Sequence, residues 1–206
     1  MTKNKKTQLD KLFFYSDPHY GHANVIKFCS NRKYDSIEEM DADFIRLYNE
    51  TVPPDGTCIW VGDCFFYRKG KRELSKAVMD QLNGTKVLVR GNHDSSYAWM
   101  YDIGFSFVCD YMEIKVAGQK VRIKHYPPKY TSNRFVNWIK FNVLKSHKPR
   151  YFDRYPDQDG TWVIHGHTHD TTQIQPKIKA IHAGVDAWNG RPLSCRQVEK
   201  IIQRSF

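Results

Sequence analysis

Leu12-Phe13-Phe14-Tyr15-Ser16-Asp17-Pro18-His19 is an apolar run that stops abruptly at a carboxylate and an imidazole. Phenylalanine and tyrosine in an unbroken apolar stretch favour a buried strand, so Asp17 and His19 fall just beyond a strand end. The pattern recurs along the chain. Cys58-Ile59-Trp60-Val61 runs into Gly62-Asp63, and Val87-Leu88-Val89 into Gly91-Asn92-His93-Asp94. Val121 to Lys124 precede His125, and Trp162-Val163-Ile164 precede His165-Gly166-His167-Thr168-His169. Any one of these segments has an ordinary explanation: Gly-Asp is a common turn, and a lone histidine is usually a surface or satisfied core residue. Five apolar runs all ending in ligand-type side chains are harder to dismiss. In open α/β sheets, ligands collect beyond the carboxyl ends of strands, so residues spread from 17 to 169 can converge in space.

Carboxylate oxygen and neutral imidazole nitrogen are ligands for hard and borderline divalent cations. The number of such groups is enough for two ions sharing one aspartate, an arrangement that activates water for attack on phosphorus. The residues therefore point to hydrolysis of a phosphate ester.

The rest of the chain frames these segments as a layered α/β fold. Residues 11–16 read as a strand, and a helix starts in the region His22 to Phe28. Ser36-Ile37-Glu38-Glu39 has the form of a capping box, followed by Met40, Phe44, Leu47 and Tyr48 at helical spacing; that helix runs to about Asn49 and is broken by Val52-Pro53-Pro54-Asp55-Gly56. Strand 57–61, helix 72–82 with Leu74, Val78 and Leu82 in register, and the strand before Asn92 complete a β, α, α, β, α, β order. Asn83-Gly84 supplies a left-handed cap. Later segments are short strands, with Tyr111 to Ala117 and Lys120 to His125 forming a hairpin, further strands over 161–185, and Ser194 capping a last helix that carries Val198, Ile201 and Ile202.

At 206 residues the chain has the size of one domain, read as spanning 1–206. No apolar stretch approaches the ~18 residues of a membrane span, and the polar, basic Met1 to Lys11 does not read as a signal peptide. Five cysteines (29, 58, 64, 109 and 195) form an odd set with no Cys-x-x-Cys pair, which fits a reducing, cytoplasmic setting. A net charge of +10 favours anionic, phosphorylated partners. Residues 127–160 read as a basic and aromatic insertion over the site. There Tyr130, Trp138, Phe141, Tyr151, Phe152 and Tyr155 alternate with Lys129, Arg134, Lys140, Lys145, Lys148, Arg150 and Arg154. Such a mixture either stacks bases and neutralises phosphates or packs its apolar members as an amphipathic helix, with the cations left facing the site.

Asp17-x-His19, Gly62-Asp63, Gly91-Asn92-His93-Asp94, His125 and the His165/His167 pair, in that order, resemble the ordered motifs of the calcineurin-like metallophosphoesterase superfamily. One departure is that Ile164, not glycine, precedes His165. The resemblance implies a β-sandwich flanked by helices (αββα), with a dinuclear metal site at the strand C-terminal ends. It implies that Asp17, His19 and His167 hold one ion, that Asn92, His125 and His165 hold the other, and that Asp63 bridges them. Two divalent transition-metal ions are implied, manganese first, with iron, nickel or zinc as alternatives. A metal-bridging hydroxide would attack phosphorus directly, with His93 protonating the leaving oxygen and Asp94 orienting His93. His22, in an Asp-x-His-x-Gly-His form, would contact substrate or a ligand, or else simply begin a helix. His169 and His182 read as supporting or structural, and Asp186 as a turn cap.

Gly62-Asp63-Cys64-Phe65-Phe66 lacks the Gly-Asp-x-Val-Asp-Arg-Gly continuation of the related protein Ser/Thr phosphatases. That weakens a protein-phosphatase reading, and the compact length with the His165-Gly166-His167 pair resembles the small stand-alone bacterial and phage-type phosphoesterases, a resemblance that implies a nucleotide or nucleic-acid phosphodiester as substrate. A phosphomonoester or phosphoprotein is the alternative, and a non-catalytic nucleic-acid-binding module with structural metals is a third reading, disfavoured because no cysteine falls in the ligand pattern.

Overall fold

The protein is described by a computed structural model covering residues 9–66, 72–128 and 161–205. The basic and aromatic stretch 129–160 lies outside the described residues. The described chain forms two five-stranded sheets flanked by helices. In the first sheet β1 (Leu12–Tyr15), β2 (Thr57–Trp60), β3 (Thr85–Val89) and β4 (Phe107–Cys109) run parallel, and the short β10 (Leu193–Ser194) pairs antiparallel with β1. The second sheet has the order β5 (Met112–Val116), β6 (Gln119–Ile123), β7 (Trp162–His165), β9 (Ala180–His182), β8 (Ile174–Gln175). Within it β6, β7 and β9 are parallel, and the two edge strands are antiparallel.

Strand periodicity divides the apolar residues between two cores. Successive side chains on a strand point to opposite faces. Phe13, Tyr15, Cys58, Trp60 and Leu88 pack beneath helices α2 (Ile37–Thr51) and α3 (Arg72–Met79), whereas Phe14, Ile59, Val61 and Val89 face the second sheet and meet Val121, Ile123, Trp162, Ile164 and Ile181. Both faces of the first sheet are covered, which is why its strands read as continuous apolar runs. Helix α5 (Cys195–Arg204) adds Val198 and Ile202 to the inter-sheet core.

Local signals account for most helix ends. The Ser36 hydroxyl accepts from Glu39 N at 3.1 Å, while the Glu39 carboxylate accepts from Asp35 N rather than from the cap residue itself. Ser194 and Gln197 form the full reciprocal capping box of α5. Helix α3 stops at Met79, earlier than the apolar spacing suggests, and Leu74 is exposed. Gly84 does adopt a positive φ of 73°, but in the turn that feeds β3, where an added Cβ would press on Gly56 O at 2.5 Å. Two further short helices are α1 (Val25–Phe28) and α4 (Tyr97–Asp102), the latter capped by Ser96. Among the described residues, no helix is long and apolar enough to cross a membrane.

Candidate metal centre

The parallel strands deliver their following loops to one end of the molecule, where backbone hydrogen bonds lay the loops side by side. Asp17 N donates to Gly62 O at 3.1 Å, His19 N to Asp63 O at 3.3 Å and Tyr20 N to Cys64 O at 3.0 Å. The second sheet joins through Gly166 N to His125 O at 3.0 Å, and the two sheets meet where Val185 N donates to Ser16 O at 3.0 Å. Behind the loops lies Asp94, 1% exposed. Its carboxylate accepts from Asp63 N and Cys64 N, each at 2.9 Å, and from Gly91 N at 2.7 Å. The expectation that Asp94 orients the His93 ring gives way to this placement: both its oxygens are taken by backbone N–H groups, which fix the Asp63 loop against the Asn92 loop.

The loops are held in an unusual conformation. Asp17, His19, Asp63, His167 and His169 all have φ between 51° and 76°. Non-glycine residues seldom enter the left-handed region, and they persist there only when surrounding structure over-determines them, commonly at functional sites. Close approach also requires glycine: a Cβ on Gly91 would collide with the Asp63 carboxylate, one on Gly166 with Ser16 and the Asp17 carboxylate, and one on Gly62 with His125 Nδ1.

Among the described residues three groups of ligand-type atoms converge; two lie on these loops, and the third, Cys29, His169 and Asp186, lies behind them. Asp17, His19 and His169 each offer an atom within 4.8 Å of the others, as do Asp63, His125 and His167. Asp63 Oδ2 lies 3.7 Å from His19 Nε2 and 3.3 Å from His125 Nε2, between the groups, while Asp63 Oδ1 accepts from His93 N at 2.9 Å. His167 Nδ1 and His125 Nε2 face each other at 3.2 Å. Asn92 sits in the loop between Gly91 and His93, with its Oδ1 turned inward and buried.

The histidines group differently from two of the assignments expected from sequence. His167, rather than His165, joins Asp63 and His125, and His169, rather than His167, joins Asp17 and His19. The reason is strand geometry. Trp162 and Ile164 face the inter-sheet core, so His165 falls on the opposite face of β7. There it lies across from His182 at 5.0 Å between ring centroids, and its Nδ1 contacts Gly166 O at 2.9 Å. A signal for this grouping was available, since Gly166-His167-Thr168-His169 is itself a G-H-x-H motif with the glycine in place.

The donor set fits divalent cations. Among the described residues, Asp17 Oδ1, His19 Nε2 and Asn92 Oδ1 are buried without a hydrogen-bond partner, although buried polar atoms are almost always satisfied. Burial would raise both aspartates, but the surrounding imidazoles, His125 foremost, outweigh it and hold them below the usual carboxylate range. Burial pushes His19 down to about 3 and His167 to about 4, so these rings are neutral and present lone pairs. Burial opposes a proton on His125 as well, but the charges of Asp63 and Asp17 prevail and lift it to about 9.

Sequence reasoning missed the support beneath the first group. His169 Nδ1 donates to Asp186 Oδ2 at 2.9 Å. Asp186 is gripped in turn by Arg32, whose Nε reaches Oδ1 at 2.8 Å and Nη2 reaches Oδ2 at 2.7 Å. The same guanidinium donates to Asp17 O at 2.7 Å and Pro18 O at 3.0 Å, tying the first loop to His169.

Residues 11–191 match the family model for calcineurin-like phosphoesterases. The chain belongs to that family. It is accordingly a phosphoric ester hydrolase that depends on divalent metal, and its two sheets with loops gathered at the strand ends are the corresponding fold. This calcineurin-like phosphoesterase is 29% identical to the uncharacterized protein MJ1445 of Methanocaldococcus jannaschii, with 94% of this chain and 92% of the relative covered. It is 27% identical to the gene 66 protein of mycobacterium phage L5, covering 94% and 95% of the two chains. Among solved structures it superposes on the protein of unknown function AQ665 from Aquifex aeolicus with a TM-score of 0.64 at 23% identity, covering 92% and 98%, a likeness of fold.

Proposed function

We propose that this phosphoesterase holds two divalent transition-metal ions and hydrolyses a nucleotide or nucleic-acid phosphodiester. Asp17, His19 and His169 hold the first ion, Asn92, His125 and His167 the second, and Asp63 reaches both. The observation that carries this reading is the convergence of ligand atoms of Asp17, His19 and His169 and of Asp63, His125 and His167, with the buried Asp17 Oδ1, His19 Nε2 and Asn92 Oδ1 lacking hydrogen-bond partners among the described residues. Manganese is the first candidate, with iron, nickel and zinc suited to the same oxygen and imidazole ligands. When bound, such a pair supplies a nucleophile at neutral pH and neutralises the phosphoryl oxygens for in-line displacement.

The chain's own residues do the rest. Asp63 and His93 share a hydrogen bond through the His93 backbone, which leaves the His93 ring at the mouth, with its Nε2 4.0 Å from Asp63 Oδ2 and its side chain 43% exposed. From there His93 donates a proton to the departing oxygen. Asp94 acts one step back, by fixing the backbone of Asp63, Cys64 and Gly91. The net charge of +10 supports a polyanionic substrate, and five unpaired cysteines support a reducing, cytoplasmic setting.

Turnover of bis-p-nitrophenyl phosphate against p-nitrophenyl phosphate, each with manganese, tests the proposal. Preference for the diester is the expected result. Preference for the monoester moves the assignment to a phosphomonoesterase or phosphoprotein phosphatase, and no turnover of either leaves a metal-stabilised binding module.

A further inference from the structure

Cys64-Phe65-Phe66 follows the bridging aspartate as an extended segment, anchored by Tyr20 N to Cys64 O at 3.0 Å and Phe66 N to Tyr20 O at 2.9 Å. Alternation then sends the two phenylalanines opposite ways. Phe65 is buried and stacks on Trp60, with centroids 6.1 Å apart, whereas Phe66 is 38% exposed beside the metal centre. The Phe66 ring lies on His22 at 3.9 Å with 27° between planes, and its edge relation to His93 is 5.1 Å at 70°. Beyond His22, at 6.5 Å, stands Phe28, which is 76% exposed at the end of α1. Phe28, His22, Phe66 and His93 thus form a continuous aromatic rim along one side of the site. Large apolar rings held open to water at a site that handles anions call for a ligand with an apolar face of its own.

We propose that Phe66, backed by His22 and flanked by Phe28, is a stacking platform for a nucleobase carried by the leaving group of the substrate. This rests on the reading of His93 as proton donor: a group attached to the oxygen that His93 protonates comes within reach of the neighbouring Phe66 face. Stacking suits this rim because every base presents a π-face, and the contact needs no hydrogen-bond code. The two phenylalanines would confer a preference for base-bearing esters over plain sugar phosphates, with little choice among bases.

Binding of adenosine 5′-monophosphate and of ribose 5-phosphate to the full-length protein with manganese, by calorimetry, separates the base from the phosphate. The wild type should bind the nucleotide about tenfold more tightly. Phe66→Ala should bring the two ligands within about twofold by weakening the nucleotide alone. Phe66→Leu, which keeps apolar bulk without a flat face, should lose most of the preference, and Phe28→Ala part of it. Equal affinities in the wild type, a preference that survives Phe66→Ala, or a variant that weakens both ligands alike would overturn the platform. Because the measurement is of binding, a protein that cleaves neither bis-p-nitrophenyl phosphate nor p-nitrophenyl phosphate yet keeps the nucleotide preference would defeat the hydrolytic reading and leave Phe66 as a base-stacking surface.

Discussion

His169 Nδ1 donates to the Asp186 carboxylate at 2.9 Å, and the same imidazole offers a ring nitrogen within 4.8 Å of ligand atoms of Asp17 and His19. A histidine ligand oriented by a carboxylate is fixed in tautomer and angle, and losing such an outer partner typically costs about 10–100-fold in metal affinity. Asp186→Asn keeps an acceptor but removes the charge. It should weaken the first manganese ion by that factor and spare the second, so titration of the metal-free protein should show two separated affinities in place of two similar ones. Equal weakening at both positions would mark Asp186 as a purely structural residue.

The same carboxylate carries an acid-sensitive contribution to stability. Burial pushes Asp186 up, but Arg32 and His169 outweigh burial and hold it well below the ordinary range. A group with a depressed folded-state pKa stabilises the fold above its unfolded value of about 3.9, and that stabilisation is lost as pH falls through the folded value. Melting temperatures of the metal-free protein should therefore drop below about pH 4, and more steeply for the wild type than for Asp186→Asn.

His93 and Asp94 are neighbours in sequence to which the proposal gives separate tasks. His93→Ala should leave metal content intact while lowering turnover about 10²–10⁴-fold, with a smaller effect for leaving groups of low pKa that depart without protonation. Elemental analysis beside steady-state kinetics checks this, and joint loss of metal and turnover would make His93 a structural residue.

Asp94→Ala should behave differently. Three buried N–H groups, those of Asp63, Cys64 and Gly91, would lose their acceptor, at a cost of about 3 kcal/mol or more. Lower melting temperature and lower metal affinity together are expected, and an unchanged melting curve would contradict the role given to Asp94.

Metal removal should itself destabilise the fold. Ions that bind only the native state add RT ln(1 + [L]/Kd), about 2.7 kcal/mol at a hundredfold excess over Kd, and they relieve atoms without a partner among the described residues, such as Asp17 Oδ1 and Asn92 Oδ1. Chelation should lower the melting temperature and manganese should restore it. A melting curve indifferent to verified metal removal would dissociate binding from folding.

Much of this protein was legible in its sequence because strand and helix signals are local. The apolar runs ending at Asp17, Asp63, Asn92, His125 and His165 mark strand ends whatever the remainder of the chain does, and Ser36 and Ser194 mark helix starts by the hydrogen bonds their own side chains can make. Those features were enough for a layered α/β fold with ligands gathered at one end. They did not decide which imidazoles meet. His165, His167 and His169 are chemically alike and equally spaced, and their roles diverge only because β7 turns His165 to the face opposite the inter-sheet core while left-handed backbone at His167 and His169 swings those rings inward. Arg32 and Asp186, 154 positions apart, leave no pattern that one chain can display. Their pairing exists only once the two sheets have packed, and the outward turn of Phe66 beside His93 only once the loops after β1, β2 and β3 lie side by side, because contacts between distant residues are set by tertiary geometry and not by the identity of their neighbours in sequence.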